Sequence, residues 1–192
     1  NPGSHSVSAV DLRVEPPVVA EVSLVTPDHV TPNPLGIATS MDGNAVFVAM
    51  SNANAVAVLN TSALQPSYVA DIPAFTTPIG IASNPASARA YVAAKASNVV
   101  QYLDYSAWPI LTPHAPSVAG AEPYGIAVDR TGNRVLTLSI GAPAQPNNGR
   151  MSVFEAETGQ LQWSLRLGYN RVMLGDFVIE EMDIPLLADG FE

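Results

Sequence analysis

One short motif recurs three times in this chain and limits what the chain can fold into. Gly-Ile-Ala begins at Gly36, Gly80 and Gly125, and a proline lies two residues before each of these glycines. The copies are 44 and 45 residues apart. A fixed period of roughly 20 to 50 residues is the signature of repeat architectures. We therefore expect a series of similar structural units that pack against one another.

The same register continues beyond each glycine. Eleven residues further on, each copy has a β-rich run, centred on Phe47, Tyr91 and Leu136. A second alternating run follows a turn and ends at Asn60 in the first copy and Asp104 in the second. The third copy reaches the matching run, which ends at Glu155, only after a six-residue insertion. That insertion falls within 141–148, a stretch with the composition of a loop.

Each copy predicts four short strands in about 40 to 45 residues, which is the spacing of a β-propeller blade. A single four-stranded sheet cannot bury both of its faces, whereas blades arranged around an axis cover one another. The small residues of Gly-Ile-Ala suit the innermost strand, where neighbouring blades converge. A solenoid of stacked hairpins is the main alternative, although its repeats usually run nearer about 20 to 30 residues. We predict an all-β, propeller-like fold with three four-stranded blades that start near 34, 78 and 123.

The two ends of the chain decide whether such a ring closes. Residues 7–30 contain two β-rich runs that predict the outer half of a further blade, and the run 174–179 could supply an inner strand to it. Pairing of the two ends would make a composite fourth blade without open edges. Alternatively, the chain is part of a larger ring, or its open edges pair with another copy. We assign 1–178 to the propeller module and 179–192 to an acidic C-terminal tail.

Charge and composition exclude several functions. Seventeen acidic residues against eight basic ones give a net charge of −9 at pH 7, which disfavours nucleic acid as a partner. The absence of cysteine excludes disulfides, thiolate metal sites and thiolate catalysis. The longest apolar runs are shorter than the roughly 18 residues of a membrane span. The sequence also lacks a phosphate loop, a dinucleotide fingerprint and a Gly-x-Ser-x-Gly elbow, so no cofactor is predicted.

The first copy resembles a known repeat. Pro-Leu-Gly-Ile-Ala, then Asp-Gly-Asn, Val-Phe-Val-Ala and Ser-Asn-Ala-Asn-Ala-Val-Ala-Val-Leu-Asn-Thr, is similar to the YVTN-type β-propeller repeat of bacterial and archaeal surface and secreted proteins. The resemblance covers about residues 34 to 165, and Met50, Ala94 and Leu138 replace the asparagine of that motif. It implies an extracytoplasmic propeller, which is periplasmic, secreted or on the cell surface. A fold alone does not define a function.

Ligand sites are expected where the loops before the inner strands converge. On that basis the predicted ligand-binding residues are Asn33, Thr77, Glu122 and Tyr124, with His29 and His114 nearby. The two histidines lie in comparable loops and could ligate a metal together with a neighbouring carboxylate. Exposed loop histidines are the simpler interpretation, so no metal site is predicted.

We therefore predict a non-enzymatic binding or interaction module that holds a protein or a small ligand at the propeller mouth. Two alternatives stay open. One is a structural subunit that assembles through its open strand edges into oligomers or fibres. The other is a metal-dependent, lactonase-like hydrolase. Asn60-Thr61-Ser62 matches a glycosylation acceptor, although a turn-capping role explains Asn60 without a sugar.

Overall fold

The computed structural model describes residues 1–63, 65–114, 117–141 and 149–168. In that part of the chain all regular structure is β-strand. The fifteen strands are β1 (Ser6–Asp11), β2 (Val18–Ser23), β3 (Pro34–Thr39), β4 (Ala45–Met50), β5 (Ala55–Asn60), β6 (Ser67–Ile72), β7 (Pro78–Ser83), β8 (Arg89–Ala94), β9 (Val99–Ala107), β10 (Ile110–Pro113), β11 (Ser117–Val118), β12 (Pro123–Val128), β13 (Arg134–Ser139), β14 (Gly149–Glu155) and β15 (Leu161–Gly168).

These strands form three antiparallel blades and one hairpin. Blade 1 has the order β3-β4-β5-β6, and blade 3 has the order β12-β13-β14-β15. Blade 2 runs β7-β8-β9-β10, with the short β11 also paired to β9. The hairpin β1-β2, which we call the half-blade, precedes them. The predicted all-β, propeller-like fold with three blades is confirmed, and the inner strands of these blades begin at Pro34, Pro78 and Pro123.

The inner strands of successive blades pack backbone against backbone. A Cβ atom built on Gly36 would lie 2.5 Å from the carbonyl oxygen of Ile79, and one on Gly80 would lie 2.6 Å from that of Tyr124. Real Cβ atoms essentially never approach backbone atoms so closely. Gly36 and Gly80 are therefore required where two blades converge, as the small size of glycine predicted.

Side chains between the blades form three separate cores, because neighbouring residues of a strand point to opposite faces. On β4, Phe47 faces blade 2 and packs with Val92 and Tyr105. Val46 and Val48 face the half-blade, where Leu24 and Val22 cover them. A third core, between blades 2 and 3, contains Tyr91, Val100, Ala119, Val135, Phe154 and Ala156. Blade stacking therefore explains why every residue of β4 is buried.

The outer strand of blade 2 is split, since β10 pairs with the end of β9 and β11 pairs with its beginning. Asn60 ends β5, and its side-chain oxygen accepts hydrogen bonds from the backbone and hydroxyl of Ser62 at 2.9 and 2.7 Å, as expected for a turn residue. Most of the insertion, the run 174–179 and the tail 179–192 lie outside the described residues.

No helix among the described residues is long and apolar enough to cross a membrane.

The buried tyrosines predict a loss of stability in alkali. Burial is the main cause that raises the pKa of Tyr68, Tyr91 and Tyr105 above the ordinary value of 10.0. The unfolded chain releases these protons near pH 10, whereas the folded protein retains them. Their contribution is therefore fully present below pH 10.0 and decreases as the pH rises above it. We expect the urea concentration at the midpoint of unfolding to decrease as the pH is raised from about 9 to about 11.

Tyr91→Phe provides the control for this prediction. The Tyr91 hydroxyl donates a 2.7 Å hydrogen bond to the carbonyl of Ala156 across the interface between blades 2 and 3. The variant is expected to be less stable at neutral pH and to lose less stability in alkali than the wild type. A pH dependence identical to that of the wild type would contradict the assignment.

Candidate functional site

The three inner strands all begin at one end of the blades. Pro34, Pro78 and Pro123 pair with Met50, Ala94 and Ser139, the last residues of the second strand in each blade. The turns 51–54 and 95–98 therefore lie at the same end as these prolines. We call this end, with residues 33–35, 51–54, 77–79, 95–98 and 122–124, the proline face.

Three of the predicted site residues have the same unusual backbone conformation. Asn33, Thr77 and Glu122 directly precede the prolines and have φ angles of 52°, 49° and 54°. This left-handed region is uncommon for residues other than glycine, and it is a genuine outlier for a β-branched residue such as Thr77. Such residues persist only where the surrounding structure holds them, at a cost of about 1 to 3 kcal/mol each.

Backbone hydrogen bonds from the neighbouring turns hold this conformation. The amide of Ser51 donates to the carbonyl oxygen of Asn33 at 3.1 Å. The amide of Lys95 donates in the same way to Thr77 at 3.0 Å, and the amide of Ile140 donates to Glu122 at 3.2 Å. The three predicted residues therefore occupy equivalent, fixed positions in their blades.

Two asparagines outside the predicted set tie the blades together at this face. The Oδ1 atom of Asn54, in blade 1, accepts a 2.8 Å hydrogen bond from the amide of Thr77 in blade 2. Asn98 in blade 2 does the same for Glu122 in blade 3, also at 2.8 Å. Both asparagines have positive φ angles, a conformation that asparagine tolerates well. The sequence does mark these two asparagines as equivalent, because Asn54 and Asn98 are separated by the same 44 residues as Gly36 and Gly80.

The polar cluster of this face combines a cation, a carboxylate and an aromatic ring. The Nζ atom of Lys95 lies 3.5 Å from Oε2 of Glu122, and the two side chains are 32% and 26% exposed. The same Nζ lies 5.8 Å from the ring centre of Tyr124. An ion pair that is partly exposed to water, as this one is, contributes at most about 1 kcal/mol to stability. The cluster can therefore exchange this contact for hydrogen bonds to a polar ligand at small cost.

The remaining predicted residues have separate partners. Asn33 donates from Nδ2 to Oγ of Ser51 at 2.7 Å. Nε2 of His29 lies 3.3 Å from Oδ2 of Asp71 on β6 of blade 1. The ring of His114 stacks on Tyr102 of blade 2, with ring centres 4.3 Å apart and an interplanar angle of 11°. The structure thus brings Glu122 and Tyr124 together through Lys95. The two histidines are not part of this cluster, because His29 contacts blade 1 and His114 contacts blade 2.

Metal ligands are not grouped in the part of the chain that the structure describes. Within it, no set of three or more His, Cys, Asp or Glu side chains lies close enough to hold a metal ion.

A polar groove of about 460 Å³ lies at the opposite end, between blades 2 and 3. Its walls serve mainly to connect these blades. Asn84 donates from Nδ2 to the carbonyl of Gly132 at 2.8 Å. Arg89 donates to the carbonyl oxygens of Ala156 and Glu157 at 3.2 and 3.3 Å. Because these polar groups already bind one another, the groove is a weaker candidate site than the proline face.

Comparisons with known proteins identify the fold. No family profile matches the sequence, and no curated protein matches it either. Solved structures do match, and the hydrazine synthase of Kuenenia stuttgartiensis is 19% identical with a TM-score of 0.71. A putative 6-phosphogluconolactonase from Bacteroides uniformis is 16% identical with a TM-score of 0.63, and the Swd1 β-propeller domain from Myceliophteria thermophila is 12% identical with a TM-score of 0.60.

The alignments cover most of this chain and about half of the others. The hydrazine synthase alignment includes 88% of this chain and 45% of the matched chain. The values are 86% and 52% for the putative 6-phosphogluconolactonase, and 86% and 57% for the Swd1 domain. At these identities the likeness concerns the fold alone. Together with the stacked blades, it shows that the chain has the fold of a β-propeller.

Proposed function

We propose that this propeller is a non-enzymatic binding module that works outside the cytoplasm and holds a protein or a small polar ligand at the proline face. The observation that supports this proposal is the Lys95–Glu122–Tyr124 cluster, which is partly exposed and lies on hydrogen-bonded backbone. It offers hydrogen-bond donors, acceptors and an aromatic surface within one small area. Binding sites in proteins combine these same groups.

The backbone beneath the cluster is organised before a ligand arrives. The amide of Glu122 is bonded to Asn98, and its carbonyl is bonded to Ile140. A ligand therefore does not have to order this segment, and this lowers the entropic cost of binding. The strained φ angle of Thr77 also supports a binding site at the proline face, because strained residues cluster at functional sites.

The chemistry of the cluster favours a neutral polar ligand. Lys95 and Glu122 compensate each other's charge, so neither a strong anion nor a strong cation is preferred. Sugar hydroxyls and peptide amides can bind both groups and can also pack on the ring of Tyr124. The YVTN resemblance supports the extracytoplasmic location. Cell fractionation of the source organism tests this part of the proposal.

Titration followed by two-dimensional NMR tests the site. The probes are neutral disaccharides, N-acetylated disaccharides and short uncharged peptides. We expect a binding probe to shift the amides of Thr77, Lys95 and Glu122, and Glu122→Ala to weaken its binding about tenfold. Glu157→Ala at the opposite end is the matched control and leaves the affinity unchanged. Shifts confined to Asn84 and Asn133, or no binding by any probe, would contradict the proposed site.

A lactonase-like hydrolase is the second candidate, because a solved propeller with a similar fold is described as a putative 6-phosphogluconolactonase. Hydrolysis of gluconolactone can be followed with and without added Mg²⁺ or Zn²⁺. Turnover that Glu122→Ala abolishes would favour the hydrolase over the binding module. A rate equal to the uncatalysed one would favour the binding module.

A further inference from the structure

The half-blade packs on blade 1 as blade 1 packs on blade 2. Val7 of β1 and Val22 of β2 are cross-strand partners, and both pack in the core shared with blade 1. Val56 of β5 and Ile72 of β6 are partners in the same way, and both pack in the core shared with blade 2. The strands β1 and β2 are therefore the equivalents of β5 and β6.

His5 occupies the position of the two asparagines that tie the later blades together. It directly precedes β1, as Asn54 and Asn98 directly precede β5 and β9. The φ angles of the three residues are 53°, 54° and 60°. The carbonyl oxygen of His5 accepts a 2.9 Å hydrogen bond from the amide of Leu24, as that of Asn98 accepts one of 3.0 Å from Ala119. The side chain of His5 thus starts from the same backbone geometry as the asparagines.

The donor that corresponds to His5 is a backbone amide of the proline face. In the later blades each asparagine accepts a 2.8 Å hydrogen bond from the residue before the first proline of the next blade, which is Thr77 or Glu122. In blade 1 that residue is Asn33, and its φ angle of 52° is close to theirs. The amide of Asn33 is therefore the equivalent donor at the junction between the half-blade and blade 1.

The Nδ1 atom of His5 is suited to accept this hydrogen bond. Nδ1 of histidine and Oδ1 of asparagine both lie two bonds from Cβ, and a neutral imidazole has one nitrogen that accepts. Nδ1 of His5 is buried, and none of the described residues is its hydrogen-bond partner in the structure. A buried polar atom without a partner is unfavourable. A hydrogen bond from the amide of Asn33 would satisfy it.

The titratable groups of the half-blade near this ring are the carboxylate of Glu21 and the amino group of Asn1. Glu21 accepts a hydrogen bond from Ser6, and the side chain of Asn1 donates to Ser6 and Ser8. The two serines alternate along β1 with Val7, which faces blade 1. Glu21 and the side chain of Asn1 therefore lie on the opposite face of the half-blade.

On the side of blade 1 the nearest charged groups belong to the linker that follows β2. The segments 30–35 and 51–54 contain no titratable residue. The linker before them contains Asp28 and His29, and Nε2 of His29 lies 3.3 Å from Oδ2 of Asp71. His29 is therefore the other histidine near this junction, and the variants described below separate its effect.

We propose that His5 is a positioning residue for the proline face, whose neutral Nδ1 accepts a hydrogen bond from the amide of Asn33. Histidine is the side chain whose charge ordinarily changes between about pH 5 and 8. The imidazolium ion carries a hydrogen on both nitrogens, so it cannot accept this bond. The junction is therefore closed at neutral pH and open in mild acid. Asparagine does not titrate, so the other two junctions keep their hydrogen bonds.

The junction makes part of the proline face sensitive to pH. Asn33 lies on that face, so its segment is fixed at neutral pH and released in mild acid. The consequence for ligand binding rests on the proposed function. The experiment on the junction needs no ligand, so failure of the junction and failure of the binding site are separate results.

Exchange of amide hydrogens with solvent, followed by two-dimensional NMR, tests the proposal on the full chain. Rates at about pH 7.5 and about pH 5.5 are compared with those of an unstructured peptide at the same pH, which gives a protection factor. We expect the protection factor of the Asn33 amide to be about fivefold larger at the higher pH. The amide of Thr77 is the internal control, because its acceptor is Asn54, and its protection factor should not change.

Two variants of His5 show whether the ring nitrogen is responsible. His5→Asn supplies an acceptor that does not titrate, so it should protect the amide of Asn33 equally at both pH values. His5→Phe keeps a ring of similar size without an acceptor, so it should leave that amide weakly protected at both. Circular dichroism and a cooperative thermal transition show that each variant is folded.

Three results would overturn the proposal. The first is a wild-type Asn33 amide with the same protection at both pH values. The second is a parallel change at Thr77, which would mean that acid loosens the whole face. The third is a pH dependence that persists in His5→Asn, which would make His29 its cause.

Discussion

Replacing Gly80 with alanine is expected to lower the free energy of unfolding by about 3 kcal/mol or more. The new methyl group would lie 2.6 Å from the carbonyl oxygen of Tyr124, which belongs to the backbone of the next inner strand. A flexible side chain could move aside. The inner strands β7 and β12 are each paired within their own blade, so their backbones can move apart only if blades 2 and 3 separate. In a chain of this size the melting temperature should fall by about 6 to 12 °C.

Gly3→Ala is the control for the inner-strand glycine. A Cβ atom at Gly3 would meet nothing within 4 Å, so this variant should match the wild type in urea unfolding. A Gly80→Ala protein with wild-type stability would show that blades 2 and 3 are farther apart than described. Gly36→Ala is expected to have an effect of similar size, because its Cβ would lie 2.5 Å from the carbonyl oxygen of Ile79.

Phe47→Ala is expected to cost about 3 to 5 kcal/mol. Phe47 is fully buried between blades 1 and 2, and its ring centre lies 5.0 Å from that of Tyr105. Its removal leaves a cavity lined by both blades, and neither sheet can collapse into it without breaking its strand pairing. We expect the urea midpoint to fall with little change in the slope of the transition.

Met41→Ala serves as the control, because its side chain is exposed in the turn between β3 and β4. Its effect should stay within about 0.5 kcal/mol. If Phe47→Ala cost no more than this control, the core between the first two blades would have to be packed differently.

The repeat in the sequence predicted the blades because each local signal agreed with the others. The proline, the glycine and the alternating runs around Phe47 and Tyr91 recur at one spacing, and only stacked sheets satisfy all of them. The half-blade was also predicted, since β1 and β2 lie within residues 7–30 apart from Ser6. The split outer strand of blade 2 was not predicted, because its short segments lack a distinctive pattern.

The candidate site was only partly predictable. Position in the repeat located Asn33, Thr77 and Glu122 on one face, but it could not show which side chains meet. The Lys95–Glu122 pair joins two blades, and contacts between residues of different blades leave no periodic signal. The partners of His29 and His114 depend on how loops fold over the outer strands, which the sequence does not specify.

The number of residues between β13 and β14 suggests a practical use for this protein. Nine residues, 140–148, separate these strands, whereas blade 1 has only the four residues 51–54, yet β13 and β14 pair without interruption from Arg134 with Glu155 to Ser139 with Arg150. The strand register of blade 3 therefore tolerates a longer connection at this point. Foreign peptides can be grafted there without altering the turns of blades 1 and 2 that hold the inner strands, which would turn the scaffold into a display platform.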